Sequence, residues 1–417
     1  MTFEGLAWTV RGMVAWGALA GGVSLATAFA GEPAAGSPES AATPRAVAAA
    51  SGTVEGKPGG ADSRGPAPMP AADRQSYRQA LDRAVAFLRT AQAPDGSYAS
   101  FAGPGVTAVV TTALLRNGIG VNDPLVARSL KYLEGMVRPD GGIYQLKSLY
   151  RNYETCLAVM CFAEANRDGR YDRILKAADA FLKKEQWDEG EGHDKSSTYY
   201  GGAGYGKHER PDLSNTHFLI EALRSVGNGP DDPAIQRALV FVSRCQNFES
   251  QYNTTGLAAK NPDGGFYYTP VGGGESMAGK TPTGGLRSYG SMTYAGLKSM
   301  IFAGVGPDDP RVKAAVAWIR KYYDLRSNPG LGNAGLYYYY HTFAKALDAM
   351  GLDRIQDEQG VWHDWRGELL AELIRRQRPD GSWVNENARW LEGEPALVTG
   401  YALLAMAYCK PAVEKRQ

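Results

Sequence analysis

The sequence is poor in the residues that staple small secreted folds and in the charge imbalance that marks nucleic-acid binders. Only four cysteines occur among 417 residues. Cys156, Cys161, Cys245 and Cys409 are too few and too scattered for a disulfide framework, and no Cys-x-x-Cys pair exists. Buried free thiols are therefore expected. Charge of one sign is also missing: 45 Lys+Arg stand against 44 Asp+Glu. That balance excludes the electrostatic footprint of a nucleic-acid partner. Histidine is scarce, at five. What is abundant is glycine, at 51, and tyrosine, at 23, a combination that implies many tight turns and an aromatic surface or cavity.

A long uninterrupted apolar run is absent as well. The stretch Met13 to Leu25 is broken by Gly17, Gly21, Gly22 and Ser24, and is short for a membrane span. With Arg11 before it and Ala28-Phe29-Ala30 after it, residues 1–30 read as a bacterial signal peptide cleaved after Ala30, with an anchoring helix as the rival. The expected location is periplasmic or secreted. No cysteine follows the run, so no lipoprotein anchor is indicated. Residues 31–72 are rich in Ala, Gly, Pro and Ser and cannot bury enough apolar surface to order themselves, so they read as a disordered linker. The domain is expected over 73–412.

That domain is repetitive. Gln92 precedes Pro94-Asp95-Gly96-Ser97-Tyr98, and Pro139-Asp140-Gly141-Gly142-Ile143-Tyr144 follows. Gln186-Trp187-Asp188-Glu189-Gly190 reads as a third copy, Gln246 with Pro262-Asp263-Gly264-Gly265-Phe266 as a fourth, and Gln377 with Pro379-Asp380-Gly381-Ser382-Trp383 as another. Asn328-Pro329-Gly330 is a degraded one. Each turn ends one helix and supplies an aromatic plug. A more apolar helix then carries a Thr near its start: Thr107, Thr155, Thr216, Thr293, Thr342 and Thr399. Asp123-Pro124, Asp232-Pro233 and Asp309-Pro310 cap and open helices of the other set. The expected fold is all-α: one (α/α)6 toroid of six helical hairpins, with every long connection on one face. The longest of these, 188–211 and 248–287, are dense in Gly and Tyr, and read equally as pocket walls or as decoration.

The Pro-Asp-Gly turns after a Gln, in register with alternating helices, resemble the prenyltransferase and squalene-oxidase repeats of terpenoid cyclases and protein prenyltransferases. The resemblance covers about Gln75 to Pro411. It implies an α/α toroid and a hydrophobic, terpenoid or polyprenyl ligand in its central cavity. Squalene-hopene cyclase-like proteins protonate an alkene with the central Asp of Asp-x-Asp-Asp-Thr. Here that stretch is Asp212-Leu213-Ser214-Asn215-Thr216, so Ser214 stands where the acid belongs, and standard cyclisation is not expected. Protein prenyltransferases hold zinc with Asp-x-Cys and Tyr-His-Thr fragments, which Glu154-Thr155-Cys156 and Tyr340-His341-Thr342 mimic. The two fragments open opposite helices of the ring, so neither a metal nor another cofactor is expected.

If the six Thr are equivalent, Val106, Glu154, Asn215, Met292, His341 and Val398 share the pore mouth. Glu154, Asp212 and His341 are then the candidate catalytic acid and base groups. The alternatives are helix caps for the two carboxylates and a hydrogen-bonded structural role for the imidazole. Asn215, Tyr289, Tyr294 and Tyr338 are the candidate substrate-binding residues, against plain packing between repeats. The loop Glu189 to Asp194 reads as a solvated turn. Expected partners are a hydrophobic small molecule or lipid and a membrane surface. The rival function is a glycan-active or protein-interaction toroid that uses aromatic loops.

Overall fold

The computed structural model describes residues 71–410, which lie within the compact unit Pro66–Gln417. The expected signal peptide lies outside the described residues, as does the expected linker except for its last two positions, where α1 (Ala71–Ala91) begins. Among the described residues six outer helices alternate with six inner ones. The outer set is α1, α3 (Pro124–Glu134), α5 (Asp172–Glu185), α7 (Pro233–Arg244), α9 (Pro310–Lys321) and α11 (Trp365–Arg376). The inner set is α2 (Gly105–Arg116), α4 (Arg151–Ala165), α6 (Leu213–Ser225), α8 (Gly290–Phe302), α10 (Leu336–Ala349) and α12 (Pro395–Tyr408). Each inner helix packs on the next, and α12 returns to α2, so the ring closes. The inner helices are buried on nearly every side, as a second layer requires.

The repeat can be explained bond by bond. Asp95, Asp140, Asp263 and Asp380 each accept from the amide two residues on, which fixes the turn. The glycine between them is left-handed, and a Cβ there would strike the carbonyl of the next outer helix, at 2.3 Å for Gly96 against Arg128. The Gln before the turn then staples it. Gln92 Nε2 donates to Gly96 O and to Leu125 O of α3, and Gln246 Nε2 donates to Gly264 O and to Arg311 O of α9. Gln377 Nε2 reaches Gly381 O and Ala80 O of α1, joining the last hairpin to the first. The Thr of the inner helix takes the next amide: Tyr98, Ile143, Ala203, Phe266 and Trp383 donate to Thr107, Thr155, Thr216, Thr293 and Thr399 respectively.

Three expectations need correction. Gln186 staples Gly201 O and Ala234 O, so the third turn is Tyr200-Gly201-Gly202-Ala203 and not Trp187 to Gly190. Gly201 has φ +81, and its Cβ would lie 1.8 Å from Arg237 O, so the backbone geometry survives where the Pro-Asp signature does not. Thr342 takes no turn amide; its hydroxyl donates to Tyr338 O and Tyr339 O within α10. It sits deeper in its helix than the other five, because α10 already begins at Leu336. Finally, the link 350–364 is long and lies on the opposite face, where β1 (Ile355–Gln356) pairs antiparallel with β2 (Trp362–His363). The four cysteines are buried and free.

Candidate functional site

Side chains that join non-adjacent inner helices must cross the lumen, and they do so in two layers. Deep in the ring, Glu221 of α6 pairs with Lys298 of α8 and with Lys345 of α10, beyond it. Arg116 of α2 pairs with Glu164 of α4 at 3.0 Å. Burial alone would raise the Glu221 carboxyl, but the two ammonium groups override it and hold its pKa well below the usual range. Lys298 is pushed down to about 8, by burial first and against the pull of Glu221. Beside these charges lies a cavity of about 20 Å³, lined by Thr112, Arg116, Glu221, His341, Tyr401 and apolar side chains. That is room for roughly one water. The deep layer is thus an ionic floor.

Above it, at the end of the ring where the turns lie, the lumen is filled with aromatic rings. Tyr153 of α4 stands edge-on to Phe218 of α6 at 5.5 Å and to Tyr205 at 5.7 Å. Tyr338 of α10 meets Tyr401 of α12 edge-on at 5.9 Å. Its hydroxyl crosses to α6, 3.2 Å from Ser214 Oγ. Tyr153, Tyr205, Tyr268, Tyr338 and Ser214 are partly exposed, whereas Phe218 and Tyr401 are buried. This is the mouth.

The candidate residues distribute unevenly over these layers. Asp212 is the N-cap of α6, accepting from Asn215 N and Asn215 Nδ2, each at 2.8 Å. Burial pushes its carboxyl up to about 6, against those donors and the Tyr268 hydroxyl. Its charge raises the pKa of Tyr205, Tyr268 and Tyr289, which therefore lie close by, although burial is the larger cause for each. Asp212, Asn215, Tyr289 and Tyr338 are accordingly brought to the mouth region. Asn215 Nδ2 must face the carboxylate, which leaves Asn215 Oδ1 buried without a partner. Glu154 faces the loop before α4, accepting from Gln145 N at 2.9 Å and Ser148 Oγ at 2.8 Å, and burial raises it to about 7.

His341 does not join Glu154. Because Thr342 sits deep in α10, His341 lines the floor cavity and stacks on Tyr401 at 6.1 Å. Burial holds it neutral, and the carboxylate whose field it feels is Glu221. Tyr338 takes the mouth position in its place. Tyr294 lies in the wall between α8 and α10, against Tyr339 and Phe343. Among the described residues no His, Cys, Asp and Glu group is placed to hold a metal ion. Sequence reasoning missed the floor and His217, because mid-helix charges that meet across a lumen leave no local pattern.

Comparison with known proteins gives a family match and loose structural likenesses. The family model described as squalene-hopene cyclase C-terminal domain matches residues 101–269. No curated protein matches the sequence. Among solved structures, the type II terpene cyclase MstE from Scytonema is 14% identical, covering 80% of this chain and 98% of that one, at a TM-score of 0.30. A variant of MstE in complex with geranylgeranyl dihydroxybenzoate is 13% identical over 81% and 98%, at 0.31. A protein from Actinoplanes is 16% identical over 80% and 99%, at 0.30. Residues 101–269 hold α2 to α7 and two of the stapled turns, and over this stretch the chain is similar to squalene-hopene cyclase C-terminal domains, with a terpenoid cyclase-like α/α toroid as its fold.

Proposed function

We propose that the protein is exported and binds a hydrophobic isoprenoid ligand, terpenoid or polyprenyl, at the aromatic mouth of its lumen, without protonating an alkene. The observation that carries this reading is the partly exposed tyrosine layer set over a sealed ionic floor. Aromatic faces suit an isoprenoid chain. The floor bars that chain from going deeper, since an apolar group there would separate Glu221 from its lysines. The similarity of residues 101–269 to a squalene-hopene cyclase domain supports the ligand class.

Alkene protonation needs a neutral carboxylic acid whose proton points at the substrate. Ser214 offers no such proton, and both Asp212 oxygens already accept from Asn215. Asp212 therefore holds the start of α6 in place. Native mass spectrometry of protein purified from its own envelope tests the reading. The expected result is a polypeptide starting at Gly31 that carries an isoprenoid lipid. A bound oligosaccharide or partner protein in its place overturns the ligand class, and an uncleaved cytoplasmic chain overturns export.

A further inference from the structure

Of the four consecutive tyrosines that open α10, three are committed to the fold. Tyr339 and Tyr340 donate their hydroxyls to Asp324 O and Leu325 O, each at 2.6 Å, and Tyr337 is buried edge-on against Tyr340. Tyr338 is held differently. Its amide, like that of Tyr337, donates to Glu392, to Oε1 at 2.8 Å, but its hydroxyl faces the lumen. Glu392 is delivered to the start of α10 by a strap whose Trp390 and Leu391 are left-handed, with φ of 56 and 65. Such strain in two non-glycine residues persists only where the surroundings enforce it, and it clusters at ligand sites.

The Tyr338 hydroxyl lies 3.2 Å from Ser214 Oγ and 3.4 Å from each ring nitrogen of His217. Hydroxyl bonds are normally about 2.7 Å, so neither contact is at full strength, and both can yield to a ligand. His217 is fully buried, with Glu221 Oε1 at 3.9 Å behind it. Burial first, then Lys298 and Lys345, keep the imidazole neutral against the pull of Glu221. A neutral imidazole has one nitrogen free to accept. Tyr338 can therefore turn its proton towards His217 and present its oxygen lone pairs to the mouth, next to the Ser214 hydroxyl.

We propose that Tyr338 and Ser214 together bind the hydroxyl group of the ligand, that His217 is the positioning residue that accepts from Tyr338, and that the ligand is an isoprenoid alcohol or phenol. This rests on the reading of the mouth as the ligand site. The ligand O–H donates to the Tyr338 oxygen and its own oxygen accepts from Ser214; no proton is transferred and no bond is broken. A hydrocarbon can make neither contact. An ether accepts from Ser214 but gives Tyr338 nothing.

Binding of farnesol, farnesyl methyl ether and farnesene to the purified full-length protein tests the proposal, read by calorimetry or intrinsic fluorescence. Farnesol is expected to bind about tenfold more tightly than the other two. Tyr338→Phe brings farnesol down to the methyl ether level, because Ser214 still donates to either oxygen, and leaves farnesene unchanged. Ser214→Ala weakens farnesol and the methyl ether and leaves farnesene unchanged. His217→Leu frees the phenol proton for the ligand, so the methyl ether gains on farnesol, a reversal that a merely structural histidine would not produce. If His217→Leu does not fold, Tyr338→Phe, which removes one oxygen, carries the test. Equal binding of the three probes, or a farnesol preference over the methyl ether that survives Tyr338→Phe, overturns the proposal and leaves the mouth as the site. Failure of all three to bind the folded protein overturns the site itself.

Discussion

Glu154 and Asp212 share a physical situation: each is a buried carboxyl at the start of an inner helix, with polar donors too few to offset its loss of water. Their consequences for stability have one sign. Glu154 is raised from its ordinary 4.5 to about 7, so the folded state holds its proton where the unfolded chain has released it. The stability it contributes is present below about pH 4.5 and is lost as the pH climbs through 7, on the order of 3 kcal/mol in all. Asp212, raised to about 6, acts in the same direction over a lower window. Glu221, held well below its ordinary value by Lys298 and Lys345, acts oppositely and only in acid. Glu154→Gln, an amide of the same shape, should therefore flatten much of the fall in stability between pH 5 and 8. Denaturant titrations at four pH values would show it; parallel wild-type and variant curves would contradict it.

At the scale of elements, the stitch that matters is the glutamine that closes α1, α5, α7 and α11 each onto the next outer helix. Gln377 serves α11 and α1, whose carbonyl at Ala80 it caps. Gln377→Ala strands two carbonyls and should cost about 1–3 kcal/mol. It should also loosen α1 selectively, seen as faster limited proteolysis within residues 71–91 than at α7. Uniform susceptibility would speak against the stitch. The turns were legible in the sequence because Pro, Asp and Gly act on backbone groups a few residues away, and the Gln and Thr that stitch them recur in register with them. The third turn was misread because a Gly201-Gly202 pair does the work without Pro or Asp, while Trp187-Asp188-Glu189-Gly190 imitates the signature directly after Gln186. The register of α10 was misread for a similar reason. Its Thr342 bonds only within the helix, so Tyr338, not His341, reaches the mouth. The floor of Arg116, Glu221, Lys298 and Lys345 was not legible at all, since its four charges stand on four different helices, each largely apolar. Only closure of the ring brings them together.

Closure is the property that belongs to the whole molecule. In an open stack of hairpins each repeat contacts only its neighbours, and stability is close to a sum of repeat and interface terms, so loss of a terminal hairpin shortens the array without destroying it. Here α12 packs on α2 as well as on α10, and α1 packs on α11 and α12, so among the described residues there is no terminal hairpin in that sense. Removing residues 365–410 would uncover the inner faces of both α2 and α10, including Val109, Val110, Phe343 and Ala344, all of them buried. It would also delete Glu392, which holds Tyr337 and Tyr338, and Tyr401, against which Tyr338 and His341 pack. Opening the lumen admits water to Glu221 and its lysines and removes the low-dielectric setting in which their mutual attraction is strong. The ring should then fail as one unit. Circular dichroism and size-exclusion chromatography of that deletion are expected to show loss of cooperative melting and aggregation. A monomeric five-hairpin species with a single sharp transition would mean that the hairpins are stable in open order and that closure contributes little.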